Sequence, residues 1–214
     1  MRALAQRVRE YLPDWKIRAA TLAAPGALDH ALEACRSAPL VFPVFMTDGW
    51  FTKTALASRL EGTDARQLPP LGVHPELPRL TARLLRNAAT LSGWARSGFD
   101  VLLAAHGSAT GAAPEECTMA FANALARWLP ARRIHVGFLE QDPHLAEVAG
   151  LCSLRTLHLP FFAGAGGHLT RDVPQALDGA GFEGLRMESL GEAYFIPDLI
   201  AHTLECAAQR TLAA

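Results

Sequence analysis

The stretch Phe99-Asp-Val-Leu-Leu-Ala-Ala-His106-Gly107-Ser108 decides how this chain is read. The apolar residues Val101 to Ala105 follow Gly98 and end at a His-Gly-Ser turn. A short apolar run bounded by turn residues predicts a buried parallel strand. Helical spacing resumes from about Pro114. Open α/β sheets place their chemistry just past the carboxyl ends of such strands. His106 is therefore the first candidate functional residue.

Working outward from this strand, the chain repeats itself. Ala3–Leu60 overlies Ala120–Leu177 without a gap, at a constant offset of 117 (Ala3 onto Ala120). Leu12-Pro13 falls on Leu129-Pro130, Cys35 on Cys152, and Pro43-Val44-Phe45 on Pro160-Phe161-Phe162. After a short insertion, Leu71-Gly72 falls on Leu190-Gly191. The matches fall on punctuation and core positions, which predicts two copies of one α/β unit.

The second copy reads as strands near 100–105, 133–139, 155–162 and 184–189, alternating with helices near 114–128, 143–151, 170–179 and 194–210. That alternation implies a parallel sheet with right-handed crossovers. The first copy begins inside its first helix. It continues with strands near 16–22, 39–46 and 66–70 and helices near 27–36, 52–60 and 75–95, with Pro75 early in the last. The fold class is thus α/β, with two similar three-layer lobes built on parallel sheets. Residues 1–96 form an N-terminal lobe, and 97–214 a C-terminal lobe that carries the candidate site. The first lobe lacks its leading strand, the counterpart of Phe99–Ser108. Two explanations stay open. Either the chain is a shortened product or start-site assignment, with Met1 in mid-repeat, or the protein tolerates a three-stranded half patched by something else.

Composition bounds the function classes. The chain has 214 residues, 50% of them hydrophobic, and a formal net charge of −1. Near-neutral charge argues against a nucleic-acid partner, and a polyanionic ligand would need a local basic patch. No apolar run approaches membrane-spanning length, and the charged N-terminus has no signal core, so a cytoplasmic location is expected. Cys35, Cys117, Cys152 and Cys206 are far apart and form no C-x-x-C pair, which predicts free, mostly buried thiols.

Two further polar residues stand at strand ends in the second copy. Glu140 closes Ile134–Leu139, and His168 follows Pro160-Phe-Phe-Ala-Gly-Ala-Gly-Gly167. Parallel strands point the same way, so His106, Glu140 and His168 are expected to converge on one rim. Two imidazoles and a carboxylate suit a divalent first-row metal with open positions, and neutral histidine also accepts protons. The first copy has Ala23 opposite Glu140 and Phe51 opposite His168. The scaffold repeats and the polar set does not, which fold requirements alone do not explain.

The glycine-rich stretch before His168 lacks the spacing of a phosphate loop. Its glycines, Gly166 and Gly167 among them, instead let backbone approach a large flat ligand. Asp172 and Pro174 fit the first turn of the helix that follows. A histidine-phosphatase reading would need arginine where Ala105 stands, and Ser108 has no evident base of its own. The remaining histidines, His30, His74, His135, His144, His158 and His202, read as surface or satisfied residues.

These motifs together, His106-Gly107-Ser108 after an apolar strand, Gly137-Phe138-Leu139-Glu140-x-x-Pro143, and Leu159-Pro160-Phe161-Phe162-x-x-Gly-x-Gly167-His168-x-x-x-Asp172-Val173-Pro174, resemble the class II chelatases. The sirohydrochlorin cobaltochelatases and ferrochelatases of cobalamin and sirohaem synthesis are the nearest types. The resemblance implies two similar lobes facing a cleft. It implies insertion of a divalent metal, Co²⁺ or else Fe²⁺ or Ni²⁺, into a metal-free tetrapyrrole (porphyrin-type) substrate, with no organic cofactor. It assigns His106 and His168 to metal binding or to accepting pyrrole protons, and Glu140 to metal binding or proton relay.

Weaker expectations attach to Arg171 and Lys53 as partners for substrate carboxylates, and to Trp50 with Phe51 as a stacking wall. The bland alternative is that those two aromatics are simply core. Small relatives imply self-association as a homodimer. A non-catalytic tetrapyrrole or metal delivery protein on a degenerate chelatase scaffold is the alternative reading, and a partner subunit whose cleft another chain completes is a third.

Overall fold

The computed structural model describes residues 1–35, 38–164 and 166–212, and it is built around β3 (Asp100–Ala105). All of β3 is buried, as an unbroken apolar run requires of a strand covered on both faces. Val101, Leu103 and Ala105 join the main core with Leu85, Phe121 and Leu125, whereas Leu102 and Ala104 pack with Leu145, Ala149 and Leu177. This alternation is the two-residue period of an extended strand.

β3 lies between β4 (Arg133–Phe138) and β5 (Thr156–Pro160), and β6 (Leu185–Arg186) adds to the far side of β5. Every pairing is parallel, with Ala104 level with Gly137 on one side and Pro160 on the other. α5 (Ala113–Ala126), α6 (Leu145–Gly150) and α7 (Val173–Gly179) make the crossovers, and α8 (Ile196–Leu212) closes the chain. The chain leaves β3 for β4 and returns across it to β5. The carboxyl end of β3 is therefore a topological switch point, where crevices open in sheets of this kind.

The first half holds α1 (Arg2–Tyr11), α2 (Ala27–Glu33), β1 (Leu40–Val41), α3 (Ala57–Leu60), β2 (Arg66–Gln67) and α4 (Leu77–Leu91). β1 and β2 pair in parallel. The repeat persists down to single contacts. The Gly72 amide donates to the Phe45 carbonyl and the Gly191 amide to the Phe162 carbonyl, each at 2.9 Å. A Cβ on Gly72 would lie 1.9 Å from the Met46 carbonyl oxygen, and one on Gly191 2.3 Å from that of Ala163. Both acceptor pairs keep the sequence offset, as do the π-helical turns that open at Phe51 and His168.

The first half departs from expectation in its strands. No strand forms near 16–22, and the one expected over 39–46 is paired only at Leu40–Val41. The reason lies in the sheet order. β4 is an edge strand whose one neighbour among the described strands of the sheet is β3. Residues 17–22 are its counterpart, and among the described residues of this half none forms a strand beside them. β6 is also shorter than expected. Pro75 lies before α4 rather than in it, and Pro78 is the proline of its first turn. The four cysteines are free but half-buried, not mostly buried. Among the described residues no helix is long and apolar enough to cross a membrane.

Candidate active site

Gly107 makes the turn that lifts His106 off the end of β3. Its φ is +75°, and a Cβ there would lie 2.8 Å from Gln141 Cγ and 3.0 Å from Phe138 Cβ, so only glycine fits without strain. The Gln141 side chain completes the turn: its Oε1 accepts from the Ser108 amide at 2.7 Å and its Nε2 donates to Glu115 at 2.8 Å. The Glu140 amide donates to the His106 carbonyl at 3.0 Å, which ties the loop after β4 to the loop after β3. His168 opens the π-helical turn His168–Asp172, which leads into α7.

These three loops bring the predicted set together. One ligand atom from each of His106, Glu140 and His168 lies within 4.8 Å of the others. His106 Nε2 is 3.6 Å from Glu140 Oε1, and the two imidazole rings meet edge to face with centroids 4.5 Å apart. All three side chains are 41–50% exposed, so a ligand can reach them from solvent.

The hydrogen bonds select the free nitrogen on each ring. His106 Nδ1 lies 3.1 Å from the Gly107 carbonyl, which can only accept, so a neutral ring donates through Nδ1 and keeps its lone pair on Nε2. His168 Nδ1 lies 2.7 Å from Asp172 Oδ2, with the same consequence. Asp172 also accepts from Arg171 Nε at 3.0 Å. That bond first, and the one from His168 second, hold the Asp172 carboxyl below the usual carboxylate range. A carboxylate behind a ligating imidazole fixes its tautomer and raises its basicity. Two imidazole lone pairs and a carboxylate that face one point can hold a divalent ion with positions left open, or take up protons.

The weaker candidates divide. Trp50 and Phe51 are 65% and 55% exposed, so their core reading fails. Phe51 stacks on Phe45 at 5.7 Å with the planes 7° apart, and Trp50 stands edge-on to Phe51 at 5.2 Å. The Asp48 amide contacts Cys117 Sγ at 3.5 Å, and a Cβ on Gly49 would lie 3.5 Å from Ala113 Cβ. These contacts fasten the aromatic segment to the start of α5, the helix that follows the His106 loop. Lys53 is paired with Asp48 at 3.4 Å and Arg171 with Asp172, so neither cation is unengaged. A Cβ on Gly166 would meet nothing within 4 Å. The space beside that backbone is open, as close approach of a flat ligand requires.

Sequence reading missed two supports. Asp172 was assigned to a helix turn, although His168-x-x-x-Asp172 has the i,i+4 spacing that lets side chains meet. Gln141 had no local signal, since its partners Ser108 and Glu115 are remote in sequence. One structural assignment also fails. His158 is buried, and neither ring nitrogen has a hydrogen-bond partner, so it is neither a surface nor a satisfied residue.

Comparison with known proteins follows the same line. The family model CbiX matches residues 100–205. The structure is similar to that of CbiX, the terminal enzyme for biosynthesis of siroheme in denitrifying bacteria, at 41% identity and a TM-score of 0.84 over 96% of this chain and 89% of that one. It shares its fold with SirB from Bacillus subtilis with Fe³⁺, at 15% identity and a TM-score of 0.71 over 94% and 86% of the two chains. The same holds for the sirohydrochlorin chelatase SirB from Bacillus subtilis subspecies spizizenii in complex with cobalt, at 14% identity and a TM-score of 0.66 over 95% and 87%. No curated protein sequence matches the chain.

Proposed function

The chain belongs to the CbiX family, and on that premise we propose that it inserts a divalent metal ion into a metal-free tetrapyrrole of the sirohydrochlorin type, in sirohaem or cobalamin synthesis. The observation that carries this reading is the meeting of His106, Glu140 and His168 at the switch point of the sheet.

The metal is a substrate here. Insertion replaces two pyrrole N–H protons with one M²⁺, so the site must deliver a partly dehydrated ion and accept protons. In our reading the Nε2 atoms of His106 and His168 and the Glu140 carboxylate hold the ion beside the ring, and as the ion passes to the pyrrole nitrogens the lone pairs it leaves free take the two departing protons. Asp172 keeps the His168 lone pair on Nε2 and balances positive charge as that ring takes a proton. Trp50 and Phe51 present exposed ring faces on which a macrocycle can stack. Imidazole with carboxylate suits Co²⁺, Fe²⁺ and Ni²⁺ alike.

The test mixes metal-free sirohydrochlorin with each ion and follows the absorption change. Wild type should accelerate insertion, and His106→Ala and His168→Ala should each lose most of that rate. A wild-type rate no faster than buffer would overturn the reading. Stoichiometric binding of metal or tetrapyrrole without turnover would point to a delivery protein instead.

A further inference from the structure

The end of the second-half sheet opposite the His106 site carries an unbalanced surface. β3, β4 and β5 start level with one another, with Asp100 beside Arg133 on one side and Thr156 on the other. The loops that lead into them are tied together. The Arg132 amide donates to the Phe99 carbonyl at 2.8 Å, and the Asp100 amide to the Arg155 carbonyl at 2.9 Å. Residues 92–99, 127–132, 151–155 and, ahead of β6, 180–184 therefore share one rim. These loops contain Arg96, Arg127, Arg132 and Arg155 and a single carboxylate, Glu183, in a chain whose formal net charge is −1. Arg133 opens β4 beside them. Arg132 is paired with Asp100 at 3.3 Å. Arg96, Arg127, Arg133 and Arg155 are exposed, and none makes an ion pair or a side-chain hydrogen bond among the described residues.

The same rim exposes apolar side chains. Leu91 ends α4, Trp128 follows α5, and Leu151 and Leu154 follow α6. They are 90%, 51%, 81% and 62% exposed in that order. α4 and α5 pack on one face of the sheet and α6 on the other, so the four stand in two groups across its thickness. Separate protruding side chains give a folded protein partner little shared core to pack. A fluid bilayer takes up each one by itself, seats Trp at the headgroup level and lets arginine reach phosphate.

We propose that this rim docks the protein on an anionic lipid surface, with the free arginines against headgroup phosphates and Leu91, Trp128, Leu151 and Leu154 at the acyl boundary. Each arginine near such a surface strengthens binding about fivefold. The leucines add apolar burial. The His106 site, at the other end of the strands, points away from the bilayer and stays open to solvent.

The test sediments the whole chain with vesicles of phosphatidylcholine, alone or with about one-third phosphatidylglycerol. Partitioning should be at least about tenfold stronger to the anionic vesicles, and most of it should be lost as salt rises from about 0.1 M to about 1 M. Arg127→Gln with Arg155→Gln should weaken it about 25-fold, and Leu151→Ser with Leu154→Ser at least about tenfold. Both pairs should leave Tm within about 2 °C of wild type. Arginines that only offset the helix C-termini would instead lower Tm and leave vesicle binding unchanged, which would overturn the proposal. Anionic vesicles should also shift tryptophan emission to the blue, and Trp128→Phe should remove that shift while the variant still binds. No preference for anionic vesicles would overturn the proposal, as would a shift that persists in Trp128→Phe. Tighter binding to soluble polyglutamate than to vesicles, unchanged by the leucine pair, would assign the rim to an acidic polypeptide instead.

Discussion

His168 Nδ1 and Asp172 Oδ2 lie 2.7 Å apart, four residues apart on one turn, and this contact decides which imidazole nitrogen faces Glu140 and His106. Asp172 thus acts as a positioning residue, through His168. Asp172→Ala should weaken Co²⁺ binding about 10–100-fold, read by calorimetric titration, and lower kcat more than it raises KM for the tetrapyrrole. Asp172→Asn still accepts the hydrogen bond and should recover part of the loss. The Asp172 carboxyl is held below its usual range, so the ion pair is present above that range and is lost only as pH falls through the lowered value. Full activity of Asp172→Ala at every pH would remove this role.

Gly107→Ala tests whether the turn sets the position of His106. The new Cβ meets Gln141 Cγ at 2.8 Å and Phe138 Cβ at 3.0 Å, on backbone with φ +75°. Left-handed strain alone costs about 1–3 kcal/mol, so Tm should fall by roughly 2–12 °C. Gln141 must move to relieve the contact, which releases the Ser108 amide. Metal affinity should therefore fall in the folded variant as well. Circular dichroism and a Co²⁺ titration read the two effects separately.

Gly166 and Gly191 make a paired test of what the glycines do. A Cβ on Gly191 would lie 2.3 Å from the Ala163 carbonyl oxygen, whereas one on Gly166 would meet nothing within 4 Å. Gly191→Ala should therefore cost about 3 kcal/mol or more, because backbone must shift. Gly166→Ala should leave Tm within about 2 °C, as surface substitutions do. If Gly166 borders the macrocycle, its alanine variant raises KM for the tetrapyrrole several-fold. An unchanged KM would place the substrate elsewhere.

The second half was legible because each signal was local. The run Val101–Ala105 is buried throughout, and His106, Glu140 and His168 follow strands whose parallel order brings their ends together. The first half misled where a local pattern needed a remote partner. Residues 17–22 carry the same pattern as β4, but a strand exists only when another pairs with it. Trp50 and Phe51 could not be assigned to core or surface from spacing alone, because their exposure depends on how the segment packs on Ala113 and Cys117. Gln141 escaped for the same reason.

His158 supplies the last prediction. It sits on β5 between β3 and β6, 2% exposed, with both ring nitrogens unpartnered. Burial first, and the positive charge of Arg186 second, push its pKa down to about 4 from the ordinary 6.5. The unfolded chain therefore binds the proton at a higher pH than the folded one. This residue's effect on stability is neutral above about pH 6.5 and turns unfavourable as pH falls toward 4, by on the order of 3 kcal/mol across the window. His158→Leu has no proton to take up and no unpaired ring nitrogens to bury. Its denaturant midpoint should match or exceed that of wild type at pH 7 and fall less steeply between pH 6.5 and 4. The site at the far end of the sheet should keep its metal affinity at pH 7. Parallel loss of stability in both proteins down to pH 4 would show that His158 is not the group that takes up the proton.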